Sequence, residues 1–343
     1  MNANDKLAWF RRIARLAAVL AFVVVVVGAW VRLTDAGLGC PDWPGCYGHL
    51  HPAQVAGQVE AINAANPDRP FDYQKALNEM VHRYIASTLG LLIVGLAVLS
   101  VLNRRDPAQP RVLPWVLLGT VVLQGLLGMW TVTLLVQPLI VTLHLLGGLT
   151  TLSLLWWLAL TPERRDLKAA ERKVRRLAIV ASVFLLLQVA LGGWTSTNYA
   201  AAACTDFPRC HESWWPQMDF GDAFVLWRGL GIDYEGGVLD APARVAIHYV
   251  HRLGAYVVAL LLVTLGIAAW YRAQTWPLRA AAVGLLATLV VQLLIGMNLI
   301  WQGWPLWLGT AHNAGAALLV LAMVTLLRYL VPQGSAPRLG SEM

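Results

Sequence analysis

The sequence predicts an all-α integral membrane protein, with eight transmembrane helices arranged as two tandem four-helix bundles related by pseudo-symmetry. Three observations predict this class: the composition, eight long apolar stretches and an internal repeat. Of the 343 residues, 58% are apolar and only 13% are charged, and the mean hydropathy is +0.58. Soluble domains carry about 25% charged and about 45–50% apolar residues, so the composition excludes an ordinary soluble enzyme. The 16 tryptophans fit the same class, because indole rings favour the membrane interface.

Eight stretches are long enough to cross a bilayer, which takes about 20 mostly apolar residues in a helix that rises about 1.5 Å per residue. They cover residues 13–33, 82–102, 113–134, 139–160, 177–197, 245–270, 280–300 and 306–330. The first stretch begins with basic residues, as a signal peptide does. Its apolar run is too long for a signal peptide and lacks a small-residue cleavage pattern, so we interpret it as a retained span.

The basic residues are shared unevenly between the two sides that these spans define. The N-terminus, the even-numbered loops and the C-terminus hold 18 Lys and Arg against 6 Asp and Glu, whereas the odd-numbered loops with their helix ends hold 8 against 13. Because cytoplasmic loops collect Lys and Arg, both termini are predicted to be cytoplasmic in a bacterial inner membrane. The two long loops, 34–78 and 196–244, are then periplasmic.

The net charge of +7 therefore reflects topology. The densest basic run falls within residues 163–176 and is interpreted as a solvated linker that faces lipid headgroups. Nucleic acid is not an expected partner, because no aromatic residues are interleaved with these charges.

The two halves of the chain repeat each other in register. A shared pattern C-x-D-(W/F)-P-x-C begins at Cys40 and again at Cys204, and matched positions along four pairs of spans are 164 to 169 residues apart. Such self-similarity indicates a duplicated structural unit. We predict an N-terminal half over 1–162, the basic cytoplasmic linker over 163–176 and a C-terminal half over 177–343.

Two histidines of each half occupy matched positions near the outer ends of the spans: His82 and His144, then His251 and His312. Ionisable side chains at membrane depth are costly and mark functional sites, although a lone histidine can be a neutral hydrogen-bonding group between helices. Recurrence in register favours function. Neutral imidazoles on parallel helices, without neighbouring cysteines, suit the axial ligation of heme iron better than a zinc or di-iron site. We predict heme sites at His82/His144 and His251/His312.

The halves differ three residues before the first histidine of each pair, where Glu79 in one half is matched by His248 in the other. At this spacing both side chains share a helix face with the following histidine. A carboxylate can relay protons or position a reacting group, so the difference predicts one reactive half and one electron-carrying or structural half. The alternative for Glu79 is a hydrated interfacial charge paired with Arg83.

Other residues around the predicted pairs have candidate roles towards a heme. Arg83 and Arg252 are candidate propionate partners, since the guanidinium group offers a planar fork to carboxylates. Gly147, Gly148 and Gly315 would let a flat macrocycle approach the backbone, although small residues at helix crossings are also expected from packing alone.

The four cysteines form two pairs, each spaced six residues apart in a long external loop. In an oxidising compartment we expect Cys40–Cys46 and Cys204–Cys210 disulfides. The alternatives are a thiol/disulfide relay for electrons, or a zinc site that would require the two loops to meet.

These features together resemble the heme A synthase family of bacterial and mitochondrial membranes. The resemblance covers about residues 15–330 and rests on the tandem four-helix repeat, Glu79-x-x-His82-Arg83, His144, His251-Arg252, His312 and the external cysteine pairs. It implies oxidation of the C8 methyl of heme O to a formyl group, by successive hydroxylations to a hydrate that loses water.

The resemblance also implies residue roles and partners. His82 and His144 would ligate the substrate heme O, Glu79 would be the catalytic carboxylate, and His251 and His312 would ligate a heme b cofactor. The expected partners are a heme O-producing farnesyltransferase, an unidentified electron donor, terminal oxidase assembly and the lipid bilayer. A cysteine pair in the first external loop occurs in many members, whereas the second pair is less general.

Two other functions are alternatives to heme A synthesis. A quinol-linked bis-His cytochrome would place its histidine pairs at two depths, whereas all four histidines here are predicted near the outer face. A heme transporter or chaperone could use Trp214 and Trp215 as a heme platform, although an interfacial anchor is the preferred role for these rings.

Overall fold

The computed structural model describes residues 3–65, 67, 69–161 and 166–331. These residues form eight long helices and no β-strand. We label the helices α1 (Ala3–Leu33), α2 (Tyr73–Leu102), α3 (Leu113–Thr133), α4 (Pro138–Ala159), α5 (Ala169–Thr197), α6 (Ala241–Arg272), α7 (Trp276–Trp301) and α8 (Leu306–Tyr329). Each contains a window apolar and long enough to cross a membrane. The predicted all-α membrane class and all eight spans are thereby confirmed.

The helices α2 and α5 begin well before their apolar stretches, because polar caps extend them. At α2, the Asp72 carboxylate accepts hydrogen bonds from the backbone N–H groups of Gln74 (2.8 Å) and Lys75 (3.0 Å), which satisfies donors that a helix start leaves free. At α5, Oε2 of Glu171 accepts from the backbone N–H of Lys168 (3.2 Å). Residues 169–176 of the predicted linker are thus the first turns of α5, while its residues 163–165 lie outside the described residues.

The same pairs of helices are in contact in each half of the chain. In the first half, α1 contacts α2 and α4, and α3 contacts α2 and α4; α5 to α8 repeat these four contacts. Between the halves, α1 contacts α8, and α4 contacts both α5 and α8. Helices in lipid associate through close packing and not through the hydrophobic effect. On α1, a stripe of fully buried small residues provides such packing: Ala14, Ala17, Ala18 and Ala21.

The two long loops, residues 34–72 and 198–240, lie at one end of the bundle, which we call the loop face. The first contains short helical segments at Pro52–Gln58 and Val59–Ala65, and the second one at Phe220–Ala223. The loops hold the halves together. Arg69 pairs with Asp233 across 2.5 Å, and the hydroxyl of Tyr199 donates to Asp35 across 2.6 Å.

Candidate functional site

Each of the four matched histidines packs its ring edge against a glycine of the preceding long helix. A Cβ added at the glycine would lie 2.9 to 3.5 Å from the imidazole Cε1. The four pairs are His82 with Gly28, His144 with Gly128, His251 with Gly192, and His312 with Gly296. The glycines therefore create the space that the imidazoles occupy between neighbouring helices.

The histidines are brought together two by two within each half. His82 and His144 lie close enough to interact electrostatically, and so do His251 and His312. All four lie in the first third of helices that begin at the loop face. Each half thus presents two imidazoles at similar depth.

In the second half, a glutamine from a neighbouring helix contacts each imidazole. Nε2 of Gln188 lies 3.1 Å from Nδ1 of His251 and donates to its backbone carbonyl across 2.9 Å. Nε2 of Gln292 lies 3.3 Å from Nδ1 of His312 and donates to its backbone carbonyl across 3.1 Å. In both glutamines, Oε1 is buried without a hydrogen-bond partner.

A third glutamine, Gln124, occupies the corresponding place beside His144 in the first half, although Nε2 of Gln124 and Nδ1 of His144 are buried and make no hydrogen bond. Its amide fills the space where a Cβ of Gly147 would lie, as the amide of Gln292 does at Gly315. The expectation that these two glycines open the backbone to a macrocycle is therefore wrong. A Cβ at Gly148 would contact a valine side chain at 3.8 Å.

Sequence reasoning missed these glutamines as site residues, although two of them stand at matched positions of the repeat. The available signal was a polar amide at membrane depth in an otherwise apolar helix, which marks a functional or packing role. The amides of asparagine and glutamine hydrogen-bond between membrane helices. A glutamine within one span therefore predicts a polar partner, such as a histidine, on a neighbouring helix.

Glu79 is buried, with 4% of its surface exposed, and its carboxylate is fixed at both oxygens. Oε1 accepts a hydrogen bond from Arg83 (2.5 Å), and Oε2 accepts one from the backbone N–H of Cys40 (2.8 Å). The alternative prediction, a hydrated interfacial charge paired with Arg83, is thus half right: Glu79 pairs with Arg83, but it is buried. The carboxylate thus links α2 to the cysteine loop.

The two arginines that follow the first histidine of each pair hold the cysteine loops. Arg83 donates to the backbone carbonyls of Asp42 (2.9 Å), Pro44 (3.2 Å) and Gly45. Arg252 donates to the carbonyls of Cys204 (3.0 Å), Asp206 (2.8 Å) and Arg209 (2.9 Å). The structure therefore gives both guanidinium groups loop carbonyls as partners, a different role from the predicted contact with propionates.

Both predicted disulfides form, Cys40–Cys46 and Cys204–Cys210. With all four sulfurs in disulfides, no thiolate is left for the alternative zinc site. Among the described residues, no group of three or more His, Cys, Asp or Glu is placed to hold a metal ion.

The aspartate of each cysteine pattern organises the turn between the sulfurs. Asp42 accepts from the backbone N–H groups of Tyr47 (2.5 Å) and Gly48 (2.8 Å). Asp206 accepts from those of His211 (2.6 Å) and Glu212 (3.0 Å). Partial burial would raise the pKa of Asp206, but these backbone donors outweigh it and hold the pKa below the ordinary value of 3.8.

His248, at the position matched by Glu79, makes different contacts. Its Nδ1 lies 3.1 Å from the carbonyl oxygen of Ala200, and its ring meets that of Trp304 edge to face at 5.6 Å. It is buried and close enough to His251 to interact electrostatically. The second half therefore has an imidazole in contact with a tryptophan ring where the first half has a carboxylate.

Trp214 and Trp215 are strongly exposed on the second long loop. The ring of Trp215 meets that of Tyr249 edge to face at 5.8 Å, which places it at the loop-face end of α6. This location suits an aromatic ring at a membrane interface.

The fold and these sites define a multi-pass, all-α membrane protein with one pair of half-buried histidines in each half. Residues 11–324 match the COX15-CtaA family, described as cytochrome oxidase assembly protein. The chain is 40% identical to a heme A synthase of Shewanella oneidensis, over 96% of this chain and 98% of that protein. It is 30% identical to a heme A synthase of Caulobacter vibrioides, over 90% and 92% of the two chains. The protein belongs to the heme A synthase family.

Proposed function

We propose that this protein oxidises the C8 methyl group of heme O to a formyl group and so produces heme A for terminal oxidase assembly. The observation that carries the proposal is the combination of two histidine pairs with a single adjacent buried carboxylate, Glu79. Heme O carries a long farnesyl tail and is therefore lipid-like, which suits a site between membrane helices.

The residues present fit a heme in each half. The two imidazoles of each half are the residues that would hold the iron of a heme. Nδ1 of His82 and of His144 are buried without partners, although buried polar atoms are normally hydrogen-bonded. If these rings ligate through Nε2, each Nδ1 would carry the second ring N–H without an acceptor from the described side chains. The heme iron would supply the redox chemistry when bound.

Within this proposal, His82 and His144 hold the substrate heme O, and His251 and His312 hold a heme b cofactor. The assignment of substrate to the first half is supported by Glu79, because the oxidation needs a group that handles protons. With water as the source of the oxygen atom, conversion of the methyl to a formyl group releases four protons and four electrons, so the reaction also needs an external electron acceptor. His248 is buried and contacts a backbone carbonyl and a tryptophan ring, which suits the half that only carries electrons.

Glu79 is proposed as the catalytic carboxylate that accepts protons from the substrate site. Arg83 and the backbone N–H of Cys40 fix both of its oxygens, so the carboxylate is held in one orientation beside the helix face that carries His82. A positioned general base typically contributes about 10²–10⁴-fold to a rate.

The cellular setting is also part of the proposal. The charge asymmetry of the sequence supports a bacterial inner membrane with cytoplasmic termini and a periplasmic loop face. The enzyme would receive heme O from a farnesyltransferase and deliver heme A to oxidase assembly. The cysteine loops would then lie in an oxidising compartment, in agreement with their disulfides.

The test is expression of the chain beside a heme O producer, with chromatography of extracted hemes and a heme assay of the purified protein. Glu79→Gln keeps the side-chain shape and is expected to lower heme A formation at least 100-fold while heme stays bound. Glu60→Gln, at an exposed carboxylate of the first long loop, is the control and should keep full activity. Undiminished heme A in Glu79→Gln would overturn the catalytic role, and absence of heme A from the unmodified chain would overturn the function.

A bis-His electron-transfer cytochrome is the second candidate. It needs histidine pairs at two depths to carry charge across the bilayer, whereas all four histidines here lie about one third of the way along helices that begin at the loop face. Extracted heme distinguishes the two, because a cytochrome would yield heme b or heme O and no heme A.

A further inference from the structure

We propose that the glutamines Gln124, Gln188 and Gln292 position the histidine ligands, and that their uneven engagement determines which heme is resident and which is exchanged. This inference rests on the proposed function and names the residues that separate its two sites. In the second half both imidazoles contact a glutamine. In the first half His144 lies beside Gln124 without a hydrogen bond, and His82 has no glutamine.

The missing glutamine at His82 follows from two linked differences between the halves. Gln188 is matched in α1 by Val24, and Gly254, three residues after His251, is matched in α2 by Ile85. The amide of Gln188 occupies the space in which a Cβ of Gly254 would lie. An isoleucine there therefore excludes the glutamine, and valine with isoleucine fills the same volume with apolar atoms.

The same Gln–Gly combination occurs at the other two histidines. Gln124 lies against Gly147, and Gln292 against Gly315. In each case the glycine stands three residues after the histidine, one turn along the same helix. Three of the four histidines thus share one local arrangement, and His82 departs from it.

A ligating histidine normally donates its second ring N–H to an acceptor, which fixes the ring orientation and raises the basicity of the ligating nitrogen. In Gln188 and Gln292, Oε1 is buried beside the imidazole without a donor. Nε2 is the atom that faces Nδ1 in both side chains. A half-turn of the amide, which exchanges its nitrogen and oxygen, would present Oε1 as the acceptor that a ligating His251 or His312 requires at Nδ1. His82 has only Val24 and Ile85 at the matched positions, so its bond to iron gains no such support.

A loosely held axial ligand suits a site through which a heme must enter as substrate and leave as product. A firmly held pair suits a cofactor that remains through many turnovers. The unequal glutamine contacts therefore assign heme exchange to the half with Glu79 and heme retention to the half with His248. This assignment does not use the presence of the Glu79 carboxylate.

The experiment measures heme loss to excess apomyoglobin from full-length, detergent-purified protein. One background, His82→Ala/His144→Ala, reports on the second half, and the other, His251→Ala/His312→Ala, reports on the first. We expect faster loss from the first half. The swap Gln188→Val/Gly254→Ile should accelerate loss from the second half about 10–100-fold, and Val24→Gln/Ile85→Gly should slow loss from the first by a similar factor.

Single variants separate hydrogen bonding from packing. Gln188→Glu keeps the shape and an acceptor oxygen and should retain heme nearly as well as the unmodified chain, whereas Gln188→Leu should lose it as fast as the swap. Equal loss from both halves, or equal loss from Gln188→Glu and Gln188→Leu, would overturn the inference. If heme retention differs as expected but no heme A forms, the proposed function fails and the positioning role stands. If neither half binds heme, both fail.

Discussion

The backbone N–H of Cys40 donates to Oε2 of Glu79 across 2.8 Å, so a residue of the first disulfide fixes the carboxylate that stands one turn before His82. The other half has no such link. There Nδ1 of His248 lies 3.1 Å from the carbonyl oxygen of Ala200, outside the disulfide loop. Of His248 and Arg252, it is Arg252 that hydrogen-bonds to that loop. The two disulfides are therefore matched in position but unequal in what they support.

This difference predicts unequal effects of removing the two disulfides. Cys40→Ser/Cys46→Ser should loosen the loop that orients Glu79 and lower heme A formation at least tenfold, with a loss of stability towards the low end of about 2–4 kcal/mol because the closed loop is short. Cys204→Ser/Cys210→Ser is the matched control and should cost similar stability with much less effect on heme A. Heme A yield and thermal unfolding check both. Equal heme A yields from the two double variants would contradict the positioning role.

The closest of the four glycine–imidazole contacts predicts a steric effect at His82. A Cβ at Gly28 would lie 2.9 Å from Cε1 of His82, whereas one at Gly128 would lie 3.5 Å from Cε1 of His144, an ordinary contact distance. Gly28→Ala should therefore displace the His82 ring at a cost of about 1–3 kcal/mol and reduce heme bound in the first half. Gly128→Ala should be tolerated. The measurements are the heme-to-protein ratio and the electron paramagnetic resonance spectrum of the low-spin heme. Equal spectra for the two variants would contradict the prediction, because they would show that α1 moves away and leaves the His82 ring in place.

Hydropathy and the repeat predicted the spans and the histidine positions, since both depend on residue type at a fixed period. Helix starts such as Asp72 were missed because the first turns of α2 project beyond the apolar window, where caps decide the boundary. The direction of the Arg83 and Arg252 side chains could not be deduced, because the carbonyls that they contact lie about forty residues away in the loops. Gln188 was missed for a similar reason: its histidine is on another helix, and the matched position in α1 holds valine.

Asp206 gives a prediction about pH. The backbone donors of His211 and Glu212 hold its pKa below 3.8, so the ionised carboxylate stabilises the folded loop at pH values above 3.8. This contribution is lost as the pH falls below that value towards the folded-state pKa. Asp206→Asn should lower the melting temperature at pH 6, and the gap to the unmodified chain should narrow below pH 4. A gap that stays constant from pH 6 to pH 3 would show that the charge of Asp206 does not contribute.

The two loop-holding arginines separate a structural role from a catalytic one. Both donate to three carbonyls of a cysteine loop, but only Arg83 also pairs with a buried carboxylate. Removing one partner of a buried ion pair costs about 3–5 kcal/mol, because the other charge is left without compensation. Arg83→Ala should therefore lower stability by that amount and abolish heme A formation, since Glu79 loses the group that fixes Oε1.

Arg252→Ala is the matched variant. It removes the hydrogen bonds to the carbonyls of Cys204, Asp206 and Arg209. Among the described residues Arg252 forms no ion pair with a buried carboxylate, so its removal leaves no buried negative charge uncompensated. We expect a smaller loss of stability and partial retention of heme A formation, measured by thermal unfolding and extracted-heme chromatography. Arg83→Lys should behave like Arg83→Ala in the heme assay, because a single ammonium group cannot replace a planar fork that serves the carboxylate and the loop carbonyls at once. Full heme A formation by Arg83→Lys would show that charge alone positions Glu79.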